Sequence, residues 1–208
     1  MSVRMEAAAG RSEPAAASVM LPRRLFHLTA GTVIAVGVLM LPERAAEWAL
    51  ITASLLMIAF ELVRAAAPDA NDAVVRLLPL FKDAERGRIT GATFMTLAAV
   101  FLMFVFERDV AALALLFLAV GDPCAALVGV RDRRLRVFGK SLLGAAAFAI
   151  AATAAGALAA LHPDVALTWR IAAGAAVAAM AELAPLPVDD NITIPVASAS
   201  AMAALALA

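Results

Sequence analysis

The sequence predicts an all-α fold, a polytopic bundle of about seven transmembrane helices with a cytoplasmic N-terminus. Three observations predict it: an apolar composition, apolar runs of bilayer length, and basic residues gathered on one side. Of 208 residues, 64% are hydrophobic and 16% charged, and the mean hydropathy is +0.91. A water-soluble domain carries about 25% charged residues and about 45–50% apolar ones. One domain is expected at this length.

A membrane-spanning helix needs about 20 mostly apolar residues. Seven stretches approach this: 25–41, 46–63, 89–106, 110–130, 142–161, 167–184 and 192–208, the last rich in Ala and Ser. Only Glu107, Arg108 and Asp109 separate the third from the fourth, which predicts a tight helical hairpin. Open sheets cannot span lipid, and none of these runs alternates as barrel strands do. The abundant alanines predict close helix packing.

Basic residues set the orientation. Arg4, Arg11, Arg23 and Arg24 precede the first run. Arg64, Arg76, Lys82, Arg86 and Arg88 lie between the second and third, and Arg131, Arg133, Arg134, Arg136 and Lys140 between the fourth and fifth. Against these fourteen, the other side has Arg44, Arg108 and Arg170. Cytoplasmic loops carry the excess of Lys and Arg, so the N-terminus is expected inside and the C-terminus outside. Residues 1–22 contain no signal-peptide core and are expected to be a disordered cytoplasmic tail, with 23–208 forming the transmembrane, catalytic domain. The longest loop, 65–88, contains an amphipathic stretch at 71–81 that predicts an interfacial helix ending near Pro79. The formal net charge is zero, so bulk charge points to no nucleic-acid partner. Cys124 is the single cysteine, which excludes an intramolecular disulfide and fits a small buried hydrophobe.

Asp122 is the most informative polar residue. It lies inside the fourth run, about 12 Å from the inner end at 1.5 Å per residue. A carboxylate at that depth is costly unless it faces a cavity or a partner. Gly121 and Pro123 flank it, and proline disturbs a helix where backbone can line a cavity. Asp122 is therefore expected to bind Mg²⁺ or take a hydroxyl proton, the alternative being a structural ion pair. Gly139, Lys140 and Ser141 open the fifth run. A full P-loop needs glycine at 134, where the chain has Arg134, but lysine, hydroxyl and free backbone donors at a helix start still suit an anion. The alternative is a lysine marking the membrane boundary. Arg86, Arg88 and Thr90 open the third run, and arginine suits phosphate, although a positive-inside flank looks the same. Glu182, Asp189, Asp190 and Asn191 cluster at the turn before the last run. Hard oxygens there suit Mg²⁺, and the alternative is a solvated acidic turn. His27 and Glu61 stand near inner helix ends as supporting residues. All of these map to the cytoplasmic half, whereas a transporter places polar groups near the midplane.

In order, five pieces resemble the family of dolichol kinase, phytol kinase and CTP-dependent diacylglycerol kinase, whose bacterial members are often labelled phosphatidate cytidylyltransferase-like. They are Arg24-Leu25-Phe26-His27; Glu85-Arg86-Gly87-Arg88-Ile89-Thr90-Gly91-Ala92-Thr93; Gly121-Asp122-Pro123 with Ala125, Ala126 and Gly129; Gly139-Lys140-Ser141 with Gly144; and Asp190-Asn191-Ile192-Thr193-Ile194-Pro195. The resemblance implies phosphoryl transfer from CTP to a polyprenol, phytol or diacylglycerol, with Mg²⁺ among Asp122, Asp189 and Asp190. Lys140 with Arg86 or Arg88 would stabilise the transferred group. The family usually has glutamate where this chain has Leu143. Rival expectations are a cytidylyltransferase making a CDP-lipid and a non-enzymatic permease or structural membrane protein. The longer Lys-Asp and His-Gly-Gly elements of CDP-diacylglycerol synthases are absent.

Overall fold

Each of the seven apolar runs contains a helix. The computed structural model describes residues 13–77, 87–132 and 135–206, and their order is α1 (Glu13–Met40), α2 (Glu43–Ala66), α3 (Pro68–Leu77), α4 (Gly91–Val105), α5 (Arg108–Gly129), β1 (Arg136–Val137), β2 (Lys140–Ser141), α6 (Leu142–Ala159), α7 (Trp169–Leu183) and α8 (Asp190–Ala204). The described residues are predominantly helical, in eight helices. Four helices, over Leu21–Met40, Glu43–Ala66, Arg108–Gly129 and Leu142–Ala159, are long and apolar enough to cross a membrane. The other three apolar helices, α4, α7 and α8, have 15 residues each, about 22 Å at 1.5 Å per residue.

Two boundaries differ from expectation. Helix α1 begins at Glu13, so 13–22, expected as part of a disordered tail, is helical. Ala15, Ala16 and Ala17 are strong helix formers, and Pro14 falls in the first turn, where its missing N–H costs nothing. The long loop contains a helix, α3, which starts at Pro68, three residues before the expected amphipathic stretch; the expected stop at Pro79 lies outside the described residues.

Helix α5 is the central element. It packs against α1, α6, α7 and α8, and 67% of its apolar window is buried, against 17% for α1 and α2. Phe117, Leu115 and Leu118 of α5 meet Phe148 of α6, Met202 of α8 and Val38 of α1 in one core. Small residues allow this closeness: Gly31 of α1 lies so near Ala119 that a Cβ there would come within 2.6 Å of its methyl group. Outside the core, Leu55, Leu56, Leu62, Phe104 and Ile150 are exposed. So large an apolar exterior suits lipid rather than water.

The helices alternate in direction. Arg108, at the start of α5, donates to the Leu39 carbonyl at the end of α1 (3.1 Å) and to the Leu41 carbonyl. Cations suit helix C-termini in this way. The opposite end gathers the starts of α1, α4, α6 and α8 with the ends of α2, α5 and α7, and it carries nearly every candidate residue.

Candidate functional site

Leu118, Asp122 and Ala126 recur every four residues and therefore share one face of α5. With Arg23, Arg24 and His27 of α1 and Asp189, Asp190 and Asn191 at the start of α8, they line a cavity of about 230 Å³. Helix α5 continues through Pro123, which has no N–H to donate to the carbonyl four residues earlier. Asp122 makes no hydrogen bond among the described residues, and the charged groups acting on it are those of His27, Asp190, Lys140 and Arg24. The His27 Nε2 atom is buried without a hydrogen-bond partner. Gly121, expected near phosphate, faces α6 instead. A Cβ at 121 would lie 2.5 Å from the Phe148 ring, so the α5–α6 crossing requires glycine there.

A second cavity, of about 350 Å³, adjoins the first. Arg24 and Ala126 line both, and Arg136, Lys140, Ser141 and Glu182 complete its polar wall. Lys140 joins the two cavities. Its Nζ donates to Asp190 Oδ2 (3.0 Å), lies 3.3 Å from Glu182 Oε1, and donates to the Glu182 carbonyl. Burial opposes the ammonium, but the hydrogen bond and charge of Asp190, with those of Glu182, outweigh it and hold the Lys140 pKa above its ordinary value.

The hairpin explains how Lys140 is aimed. Strands β1 and β2 pair antiparallel with Val137 opposite Lys140. The two turn residues, Phe138 (φ 51°) and Gly139 (φ 84°), both have positive φ, as a type I′ turn requires. Gly139 therefore serves the turn, and its α-carbon faces open space. Ser141 caps α6: its Oγ accepts from the Gly144 N–H (3.0 Å) and donates to Asp132 Oδ2 (2.7 Å). Asp189 caps α8, accepting from the Asn191 N–H (2.9 Å) and from Asn191 Nδ2 (2.6 Å).

Three expected residues, Glu61, Thr90 and Arg88, lie elsewhere. Glu61 accepts from the Thr90 N–H (2.9 Å), the Thr90 hydroxyl (2.8 Å), the Thr93 hydroxyl (2.8 Å) and Arg64 (2.7 Å). This ties the end of α2 to the start of α4 and commits both Glu61 and Thr90 to structure. Arg88 is exposed beside a different groove, between α2 and α4. Arg86 lies outside the described residues. The α4 start still borders the first cavity, because a Cβ on Gly91 would fall 2.7 Å from Asn191 Nδ2 and 3.4 Å from Arg23.

In the sequence Arg24 stands out as a flanking charge and as the first residue of the Arg24–His27 piece, Arg136 as a flanking charge alone, and Asp132 not at all. Arg24 and His27 are three residues apart, so they share a helix face, and that spacing was the available signal for Arg24. Nothing local marks Asp132 as the partner of Ser141.

Among the described residues, no group of three or more His, Cys, Asp or Glu side chains is gathered to hold a metal ion alone. Mg²⁺ usually takes one or two carboxylates and completes its shell with water and substrate phosphates. The open carboxylate of Asp122, with Asp190 on the same cavity, fits that partial ligand set. No protein-family model, curated protein or solved structure matches this chain.

Proposed function

We propose that the chain transfers the γ-phosphoryl group of CTP to the hydroxyl of a membrane lipid, at the cytoplasmic face of a seven-span bundle with a cytoplasmic N-terminus. The observation that carries this reading is the pair of joined cavities. One holds an unbonded carboxylate, Asp122, beside His27, and the other is closed by Lys140. The capped starts of α6 and α8, with their positive dipole ends, meet there too, and such ends favour phosphate. Phosphoryl transfer asks mainly for positioning and charge neutralisation, and this inventory supplies both.

In this mechanism Arg24, shared by the two cavities, orients the nucleotide phosphates between them. The Lys140 ammonium neutralises charge on the transferred group. Asp122 accepts the hydroxyl proton of the lipid as the new O–P bond forms, and the bond from Pγ to the departing CDP oxygen breaks. His27 lines the same cavity as Asp122 from the α1 side. Bound Mg²⁺ would supply further neutralisation, held by Asp190 together with the nucleotide phosphates. The seven-span topology is supported by the alternating helix directions and by the fourteen-to-three charge asymmetry.

The test uses purified protein with CTP labelled at either the α or the γ phosphorus, Mg²⁺, lipid alcohols and phosphatidic acid. Label is expected on the lipid from γ alone. Label from α would mean a CDP-lipid product and would replace the kinase by a cytidylyltransferase. No transfer to any acceptor would favour a protein without this chemistry. Topology is tested with Leu135→Cys and Asp109→Cys in a Cys124→Ala background: an impermeant thiol reagent on intact cells should label position 109 and spare 135.

A further inference from the structure

The bundle has a second feature at the end that carries the polar cavities. Between α2 and α4 lies a groove of about 400 Å³ with Ile58, Leu62 and Leu97 along its wall and Arg88 at its rim. These apolar side chains are exposed, at 38%, 65% and 37% respectively, on helices that the composition places in lipid. The other cation of the groove, Arg64, is neutralised by Glu61 at 2.7 Å and hydrogen-bonded to Asn71 at 2.8 Å. Arg88 makes no hydrogen bond or ion pair among the described residues.

We infer that this groove binds a phosphate-bearing membrane lipid, with an acyl chain along Ile58, Leu62 and Leu97 and the phosphate on Arg88. The argument is one of charge and level. An apolar trough ending in one uncompensated guanidinium matches a lipid with an anionic head and an apolar tail, and arginine offers phosphate a two-pronged donor. A neutral lipid would leave Arg88 without a partner at the interface. A second apolar groove, of about 480 Å³ between α1, α5 and α6, makes the contrast. It is lined by Leu39, Leu116 and Leu158 near the other end of the bundle and carries no Lys or Arg; its one titratable lining residue, His162, lies 3.9 Å from the Asp164 carboxylate, so it offers a phosphate no guanidinium or ammonium.

The groove lies close to the polar cavities. Thr93 lines the groove, while Gly91, on the same first turn of α4, abuts Asn191 and Arg23 on the far side. A lipid head at Arg88 is therefore separated from the Asp122 cavity by a single helical turn that carries no side chain at 91.

The experiment needs no nucleotide and no turnover, so it stands apart from the kinase assay. Full-length protein in phosphatidylcholine nanodiscs receives a trace of phosphatidic acid, or of diacylglycerol, bearing a diazirine near the glycerol end of one acyl chain. After irradiation, labelled peptides are mapped by mass spectrometry. Phosphatidic acid is expected to label α2 and α4, and Arg88→Gln should lower that labelling about fivefold, the upper value of an exposed charge pair. Labelling by diacylglycerol should be weaker and unaffected by Arg88→Gln. Leu62→Trp, at a lipid-exposed position, should lower labelling by both probes. Phosphatidic acid label concentrated on α1 and α6, or equal labelling of wild type and Arg88→Gln, would overturn the proposal. The wild-type map decides by itself should either variant fail to fold.

Discussion

Two carboxylates, Glu61 and Asp122, sit near the same end of the bundle and live in opposite surroundings. Glu61 is saturated: two hydroxyls, one backbone N–H and one guanidinium converge on it. Asp122 has charges around it but no hydrogen bond among the described residues, and it borders a cavity. A buried charge is tolerated when fully paired. One left open in an apolar bundle is retained at a cost, and in the proposed reaction this openness is what leaves Asp122 available to a ligand. The same contrast separates Ser141 and Asp189, both engaged as caps, from His27, whose Nε2 is buried without a hydrogen-bond partner.

The largest effect expected from this comparison is on folding. Glu61→Ala removes an ion-pair partner of Arg64, whose side chain is 5% exposed, and strips the Thr90 N–H and the Thr90 and Thr93 hydroxyls of their shared acceptor. Such losses cost about 3–5 kcal/mol. The variant should show a strongly lowered denaturation midpoint in mild detergent and poor insertion. A midpoint within error of wild type would mean that Glu61 is not the pin between α2 and α4, and the contrast would fail at its structural pole.

Asp122→Asn is expected to do the reverse. The exchange is nearly isosteric and breaks no hydrogen bond, so the midpoint should stay close to wild type. Transfer of phosphoryl to lipid should fall by ~10²-fold or more, as for loss of a proton acceptor or charge stabiliser. Full activity with normal stability would make Asp122 a bystander. A collapse of stability would make it a structural charge like Glu61.

The helices were legible in the sequence because their signal is collective: each apolar run sums over many residues, and a slip of two or three positions leaves it intact. The site was legible in kind but not in contact. Asp122, His27, Lys140, Glu182 and Asp190 were all flagged, and they do meet. What the sequence concealed was which groups were already engaged. Glu61 resembles Asp122 as a lone carboxylate in an apolar run, and only the fold brings Thr90 and Thr93, 29 and 32 residues away, onto it. Gly121 stands beside Asp122 in the chain, but on a helix adjacent residues point about 100° apart, and so it turns to Phe148. The pattern Gly139-Lys140-Ser141 resembles a phosphate loop because a tight turn followed by a capped helix uses the same residue types as a phosphate cradle.

That last ambiguity yields the smallest and most discriminating prediction. A helix-capping role and a phosphate-binding role for Ser141 both lose from Ser141→Ala, so that variant alone settles nothing. Glycine separates them, because it is tolerated at an N-cap with a loss of only a few tenths of a kcal/mol, whereas alanine costs about 1 kcal/mol. Ser141→Ala should therefore lower stability by about 1 kcal/mol and Ser141→Gly by clearly less, while nucleotide affinity stays near wild type in both. The Asp132 carboxylate, which loses its 2.7 Å donor in either variant, contributes equally to the two and cancels in the comparison. Equal losses of nucleotide affinity in the alanine and glycine variants, with little change in stability, would instead put the Ser141 hydroxyl on the phosphate and move Ser141 to the reactive side of the contrast, beside Asp122.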